Sequence, residues 1–201
     1  MIIEIIGIDG SGKTSIANFI ANNLKFGNFK FINPFEERRF IQEIDKISQK
    51  NSETKYEVFS NRLINMLWIA DFFENYFKIV EPQIKRKTNI VFDRYLYSAY
   101  VYSKLTTNEN MDAYYNFIRS NLPKPDVYIY LKIPVDIALN RIYSRKKPIA
   151  FYENFDYLNK ISRYIDDDIK NLKNVITIDA SMPFGDVCKE VERNICKRII
   201  E

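Results

Sequence analysis

Five short apolar runs punctuate the chain: Ile2 to Ile6, Phe29 to Asn33, Ile90 to Phe92, Val127 to Ile133 and Val175 to Ile178. Each is too short for a buried helix and is bounded by polar or breaker residues, as expected of a strand covered on both faces. Between them apolar residues recur every three or four positions. That spacing predicts helices from Lys13 to Leu24, Phe35 to Ser48, Glu57 to Lys87, Tyr95 to Lys104, Met111 to Asn121, Val135 to Tyr143, Asn154 to Leu172 and Phe184 to Ile200. Pro82 lies within the longest of these and is expected to kink or divide it. Polar loops are expected from Asn51 to Lys55 and Thr106 to Glu109, and a basic one at Arg145-Lys146-Lys147-Pro148. Strands alternating with helices imply an α/β fold in which a five-stranded parallel sheet carries helices on both faces. A single domain over residues 1–201 is sufficient to bury its core.

The first strand runs into Gly7-Ile8-Asp9-Gly10-Ser11-Gly12-Lys13-Thr14. The spacing G-x-x-x-x-G-K-[ST] between a strand and a helix is that of a P-loop, which makes the expected architecture a three-layer P-loop NTPase fold. Three of the chain's five glycines fall in these eight positions. Glycine admits positive φ and close approach of backbone N–H groups to an anion, so Gly10, Ser11, Gly12 and the following Lys13, Thr14 and Ser15 are candidate nucleoside triphosphate-binding residues. The helix beginning at Lys13 adds the positive end of its dipole. Lys13 is placed to reach the β and γ phosphates, and the Thr14 hydroxyl to ligate Mg²⁺.

Composition narrows the chemistry. With 46% hydrophobic and 28% charged residues the chain is globular, and a net charge of +4 suits an anionic substrate without pointing to a nucleic acid polymer. There is no histidine, so any proton acceptor must be a carboxylate. Cys188 and Cys196 lie eight residues apart on one helical pattern, too far to bridge, as suits idle thiols in a reducing compartment. No apolar run reaches membrane-spanning length, and no basic segment precedes the first strand, so neither a span nor a secretory signal is expected.

The next informative segment is Asn89-Ile90-Val91-Phe92-Asp93-Arg94-Tyr95. In a parallel sheet ligands bind beyond the carboxyl ends of the strands, so Asp93 faces the P-loop's ligand and can hold Mg²⁺ or accept a proton, while Arg94 can clamp a moving phosphoryl group. The run Asp93-Arg94-Tyr95-Leu96-Tyr97-Ser98, continuing to Tyr102, resembles the DRY-x-x-S segment of thymidylate kinases. The likeness extends through Ile8 to Thr14, Pro125-Asp126, Ala138 to Ile142 with Arg145, Tyr152 to Leu158, and Asp179-Ala180-Ser181. These matches occur in the family's order and spacing.

The resemblance implies ATP and Mg²⁺ as cofactors, a small-molecule nucleotide as acceptor, a lid at about residues 143–155, and a cytoplasmic homodimer. It places Lys13 and Thr14 on ATP and Mg²⁺, Asp9 on the acceptor sugar, Arg38 or Arg39 on the acceptor phosphate, Asp93 with Arg94 between donor and acceptor, and Tyr102 among the residues that bind the acceptor. Arg141 and Ala180 would border adenine. Because Gly10 stands where some members carry a catalytic arginine, the lid must supply that charge; Arg145 is the candidate, with Lys146 and Lys147 as alternatives. Trp68 replaces the Phe that stacks on the acceptor base. Phe72 replaces the Arg that reads it, Ser103 replaces a Gln beside Tyr102, and Ile32-Asn33-Pro34-Phe35 replaces Arg-Glu-Pro-Gly. Fewer polar readers weaken base selection. The expected reaction is ATP-dependent phosphorylation of a nucleoside 5′-monophosphate such as dTMP. A deoxynucleoside kinase and a catalytically inactive nucleotide-binding relative are the alternatives; no Asn-Lys-x-Asp guanine reader occurs.

Overall fold

The computed structural model describes residues 1–23, 27–50, 52–106, 112–150 and 152–200, and only the backbone of residues 103, 106, 199 and 200. Five strands, β1 (Ile2–Ile6), β2 (Phe29–Ile32), β3 (Asn89–Asp93), β4 (Val127–Lys132) and β5 (Val175–Asp179), form one parallel sheet in the order β2-β3-β1-β4-β5. β1 lies at the centre, with Ile5 opposite Asp93 of β3 and Ile129 of β4. The strand order reverses direction on either side of β1. Such a switch point opens a crevice beyond the strands' carboxyl ends, and both the P-loop and Asp93 sit there.

The helices are α1 (Lys13–Asn23), α2 (Arg39–Gln49), α3 (Lys55–Val58), α4 (Asn61–Asn75), α5 (Glu81–Lys85), α6 (Leu96–Thr106), α7 (Asp112–Asn121), α8 (Val135–Ser144), α9 (Phe155–Asp168) and α10 (Phe184–Ile200). The larger core joins β1, β4 and β5 to α1, α6, α8, α9 and α10 through residues such as Ile16, Ile20, Val101, Ile142, Ile161 and Val191. A second core packs β2 and β3 against α4 and α7, and Ile41, Ile44 and Ile64 join α2 to α4.

Two predicted helices differ from the sequence expectation. The segment from Glu57 to Lys87 is divided because its polar residues cap locally. Thr54 and Glu57 form a capping box that closes the single turn of α3, Phe59 is extended, and Ser60 then caps α4 by accepting from the Leu63 N–H at 3.3 Å. Further on, Pro82 has no N–H for the Lys78 carbonyl, and a π-helical turn over Tyr76–Val80 separates α4 from α5. The helix expected from Phe35 begins only at Arg39. Asn33 instead turns the chain after β2, accepting the Phe35 N–H at 3.0 Å. The predicted helix end at Leu24, the start at Met111 and most of the loop from Thr106 lie outside the described residues.

Candidate active site

The P-loop turns on positive φ at Gly10 (83°) and Gly12 (93°), with the Ser11 N–H donating to the Ile8 carbonyl at 3.2 Å. A Cβ on Gly10 would collide with the Ala138 carbonyl of α8, so glycine is required there by packing as well as by φ. The loop thus lies directly against the helix that leads to Arg145. Lys13 is buried and donates from Nζ to the Ile8 carbonyl at 2.7 Å, with Asp9 Oδ1 at 3.6 Å. Burial, then the neighbouring Arg94 charge, pushes the Lys13 pKa down to about 8, although Asp9 and Asp93 oppose this. Thr14 and Ser15 are exposed on the first turn of α1.

β3 delivers the second half of the site. Thr14 donates its hydroxyl to Asp93 Oδ2, and Asp93 Oδ1 is buried with no hydrogen-bond partner among the described residues. A hydroxyl and a carboxylate with an unspent oxygen are hard donors that fit Mg²⁺ arriving with a polyphosphate. Among the described residues no three His, Cys, Asp or Glu side chains cluster as a protein-only metal cage. Arg94 takes a left-handed φ of 71°, which turns its side chain onto Asp9, with which it forms an ion pair. Its guanidinium also lies 4.3 Å from the centre of the Tyr102 ring. Burial opposes the Arg94 charge, but Asp9, Tyr102 and Asp93 outweigh it and hold the pKa above its ordinary value. Burial pushes the Asp9 carboxyl up, yet the combined pull of Arg94, Lys13 and Arg145 leaves it below the usual range.

Arg145 follows α8 and pairs with Glu153, whose other oxygen accepts the Ala150 N–H at 2.8 Å. Glu153 is 5% exposed. A buried carboxylate thus anchors a guanidinium whose field reaches Asp9. The sequence pattern assigns Glu153 no role; its one signal is a carboxylate eight residues after Arg145. Tyr152 and Tyr157, 5.9 Å apart, also sense Asp9 and Arg94, and Tyr152 senses Arg38. Lys146 and Lys147 are exposed, and Arg141 lines a shallow depression of about 480 Å³ with Ile137, Asn140, Ser144 and Arg145. Ala180 is buried, its N–H spent on the Lys132 carbonyl at 2.7 Å, while Asp179 accepts from the Ser181 N–H and hydroxyl at 2.9 and 2.6 Å.

The expected acceptor side is organised by α4. Arg38 lies 5.4 Å from the centre of the half-buried Trp68 ring, whereas Arg39 turns to Glu37 at 3.4 Å. Asp71 accepts the Phe40 and Ile41 N–H groups at 2.9 and 3.0 Å, standing in for a cap on α2. Asn75 donates to the Pro34 and Glu37 carbonyls at 2.9 and 2.6 Å. Both are buried at i, i+4 on a largely apolar helix, the pattern that could have marked them in the sequence. Phe72 requires correction. Its ring is 2% exposed and packs on Phe35 at 5.2 Å and Tyr95 at 5.7 Å, so it is a core residue and not a surface for a base. The side chain of Ser103 lies outside the described residues.

A parallel sheet with a P-loop after its central strand and an Asp-Arg pair at the end of the neighbouring strand is the framework of a nucleotide kinase. The thymidylate kinase family model matches residues 5–191, and the chain belongs to that family. It is therefore a phosphotransferase of the nucleoside monophosphate kinase kind. A probable thymidylate kinase of Archaeoglobus fulgidus is 31% identical, with 97% of this chain and 94% of that protein aligned. The thymidylate kinase of Brachyspira hyodysenteriae is 28% identical over 96% and 92%. Among solved structures, deoxyadenosine kinase from M. mycoides with bound dATP superposes with a TM-score of 0.68 at 18% identity, covering 97% of this chain and 99% of that one, a likeness of fold.

Proposed function

We propose that the protein transfers the γ-phosphoryl group of Mg·ATP to the 5′-phosphate of a deoxynucleoside monophosphate, with dTMP the first candidate. The observation that carries this reading is the meeting of Lys13 and Arg94 with Asp9 on one side and the Thr14–Asp93 pair on the other, with the Arg145 field added at Asp9 from the segment after α8. Lys13 and the backbone of residues 10–15 hold the triphosphate. Asp9 accepts from the acceptor sugar, Arg38 binds the acceptor phosphate beside Trp68, and Arg94 and Arg145 bridge the two phosphates. Arg141 and the Asp179–Ser181 turn border adenine, and Tyr102 fixes the Arg94 plane. Thr14 and Asp93 would hold Mg²⁺, which when bound neutralises charge on the phosphates. Phosphoryl transfer asks little covalent chemistry of the protein, so holding donor and acceptor oxygens in line and excluding water is the main task. The segment at about 143–155 serves as the lid.

ADP formation measured against a panel of nucleoside monophosphates and nucleosides tests the proposal. Turnover of dTMP or a related monophosphate supports it, and turnover of nucleosides alone overturns it. The second reading, a deoxynucleoside kinase, keeps the same P-loop and Asp-Arg pair and is favoured by the apolar, buried Phe72 where a polar reader of the dTMP base is expected. An inactive relative would show no Lys13-dependent ADP with any acceptor. Among the described residues no helix is long and apolar enough to cross a membrane. We propose a cytoplasmic homodimer formed through the face of α4, the π-helical turn after it and α7. There Phe77 and Phe117, 54% and 59% exposed, flank Phe73; light scattering tests this assembly.

A further inference from the structure

Glu4 lies in the middle of the central strand and is fully buried, where an ionised carboxylate is unfavourable unless every lone pair is used. Burial raises its pKa, and the hydrogen bonds it accepts work in the opposite direction. All four come from one short segment of another part of the chain. Oε1 accepts from the Tyr95 N–H, the Ser98 N–H and the Ser98 hydroxyl, each at 2.9 Å, and Oε2 accepts from the Tyr97 N–H at 3.0 Å. The three backbone N–H groups among them are orphan donors at the start of α6, so a strand residue 91 positions away caps that helix. Glu4 is opposite Phe92 in the sheet register, one residue before Asp93. Asp93 and Arg94 are the only residues between that register point and the capped segment.

We propose that Glu4 is a positioning residue for phosphoryl transfer: its carboxylate clamps the start of α6 and so holds the turn that directs Arg94 to Asp9. The inference rests on the function proposed above. Arg94 stands in a left-handed conformation that a residue with a side chain adopts at a cost, and such a conformation persists only where its surroundings over-determine it. The clamp supplies that constraint on the C-terminal side, and the Arg94 N–H donating to the Ile5 carbonyl at 3.4 Å supplies it on the N-terminal side. Releasing one side lets Arg94 relax towards ordinary φ. Its guanidinium then swings away from Asp9 while the P-loop, built on a separate turn, keeps its shape.

The test compares wild type, Glu4→Gln, Arg94→Lys and the double variant by steady-state kinetics, with thermal unfolding of each. Glutamine keeps the length but turns an amide N–H₂ towards the Tyr97 N–H, breaking one bond of four. In the wild-type background kcat is expected to fall by about 10- to 100-fold, with KM for ATP within about 2-fold, the scale of a misplaced catalytic group. In the Arg94→Lys background Glu4→Gln is expected to add less than about 2-fold, because groups acting through one another are not additive. Full multiplication of the two effects, or an unchanged kcat in folded Glu4→Gln, overturns the inference. Should Glu4→Gln not fold, Ser98→Ala removes the hydroxyl donor alone and replaces it in the same cycle. Ser98→Ala is then expected to lower kcat in wild type by more than about 2-fold and to be silent in Arg94→Lys; equal effects in both backgrounds overturn the inference. A wild type inactive towards every monophosphate instead refutes the underlying function.

Discussion

Lys13 gives the sharpest prediction. Its pKa is lowered from 10.5 to about 8, foremost by burial and then by Arg94. At about 1.4 kcal/mol per tenfold change in proton affinity, the folded protein carries about 3 kcal/mol of unfavourable charge at neutral pH. The unfolded chain keeps this proton up to about 10.5, so the cost is full below about pH 8 and is relieved as pH rises from there to 10.5. A polyphosphate beside the ammonium restores its proton affinity. Binding Mg·ATP at pH 8 should therefore take up about half a proton per site, and at pH 7 about a tenth. Titration calorimetry in two buffers of different ionisation enthalpy reads this number directly. Lys13→Arg, whose guanidinium stays protonated throughout, should abolish the uptake. Lys13→Met should raise the stability of the nucleotide-free protein by up to about 3 kcal/mol while removing activity. Buffer-independent binding enthalpies at pH 8, or net proton release, would refute the account of Lys13 as a cation held in the fold against its own desolvation.

Phe72→Ala is expected to cost about 3–5 kcal/mol in urea unfolding, because the ring is enclosed by Phe35, Phe73 and Tyr95. Trp68→Ala, at a half-buried site, should act mainly by raising KM for the acceptor nucleotide. Gly10→Ala drives a Cβ into the Ala138 carbonyl and should weaken nucleotide binding by at least about tenfold in equilibrium titration, a cost of about 1.4 kcal/mol. Arg145→Ala should lower kcat by about 10²- to 10³-fold and also lower the melting temperature, since it leaves the Glu153 carboxylate buried without its partner. An Arg145→Ala enzyme with unchanged kcat would remove this residue from the transfer step.

Local patterning determined a good deal of this protein by itself. The five strands, the P-loop and the position of Asp93 at a strand end are written in runs of four to eight residues, because burial on both faces and the glycine conformations of a phosphate loop are local demands on residue type. The tertiary structure decided what depends on a partner distant in the chain. Whether Arg38 or Arg39 faces Trp68 follows from Asp71 and Asn75 holding the preceding loop from α4. Phe72 reads equally well as a base contact or a core residue until Phe35 and Tyr95 close over it. Glu4 looks like a stray charge in an apolar strand, since nothing within its own segment can satisfy it. Only when β1 lies beside β3 do the four donors of residues 95–98 come within reach, and a carboxylate that would be too costly to bury becomes a fixed point near the Asp93–Arg94 turn.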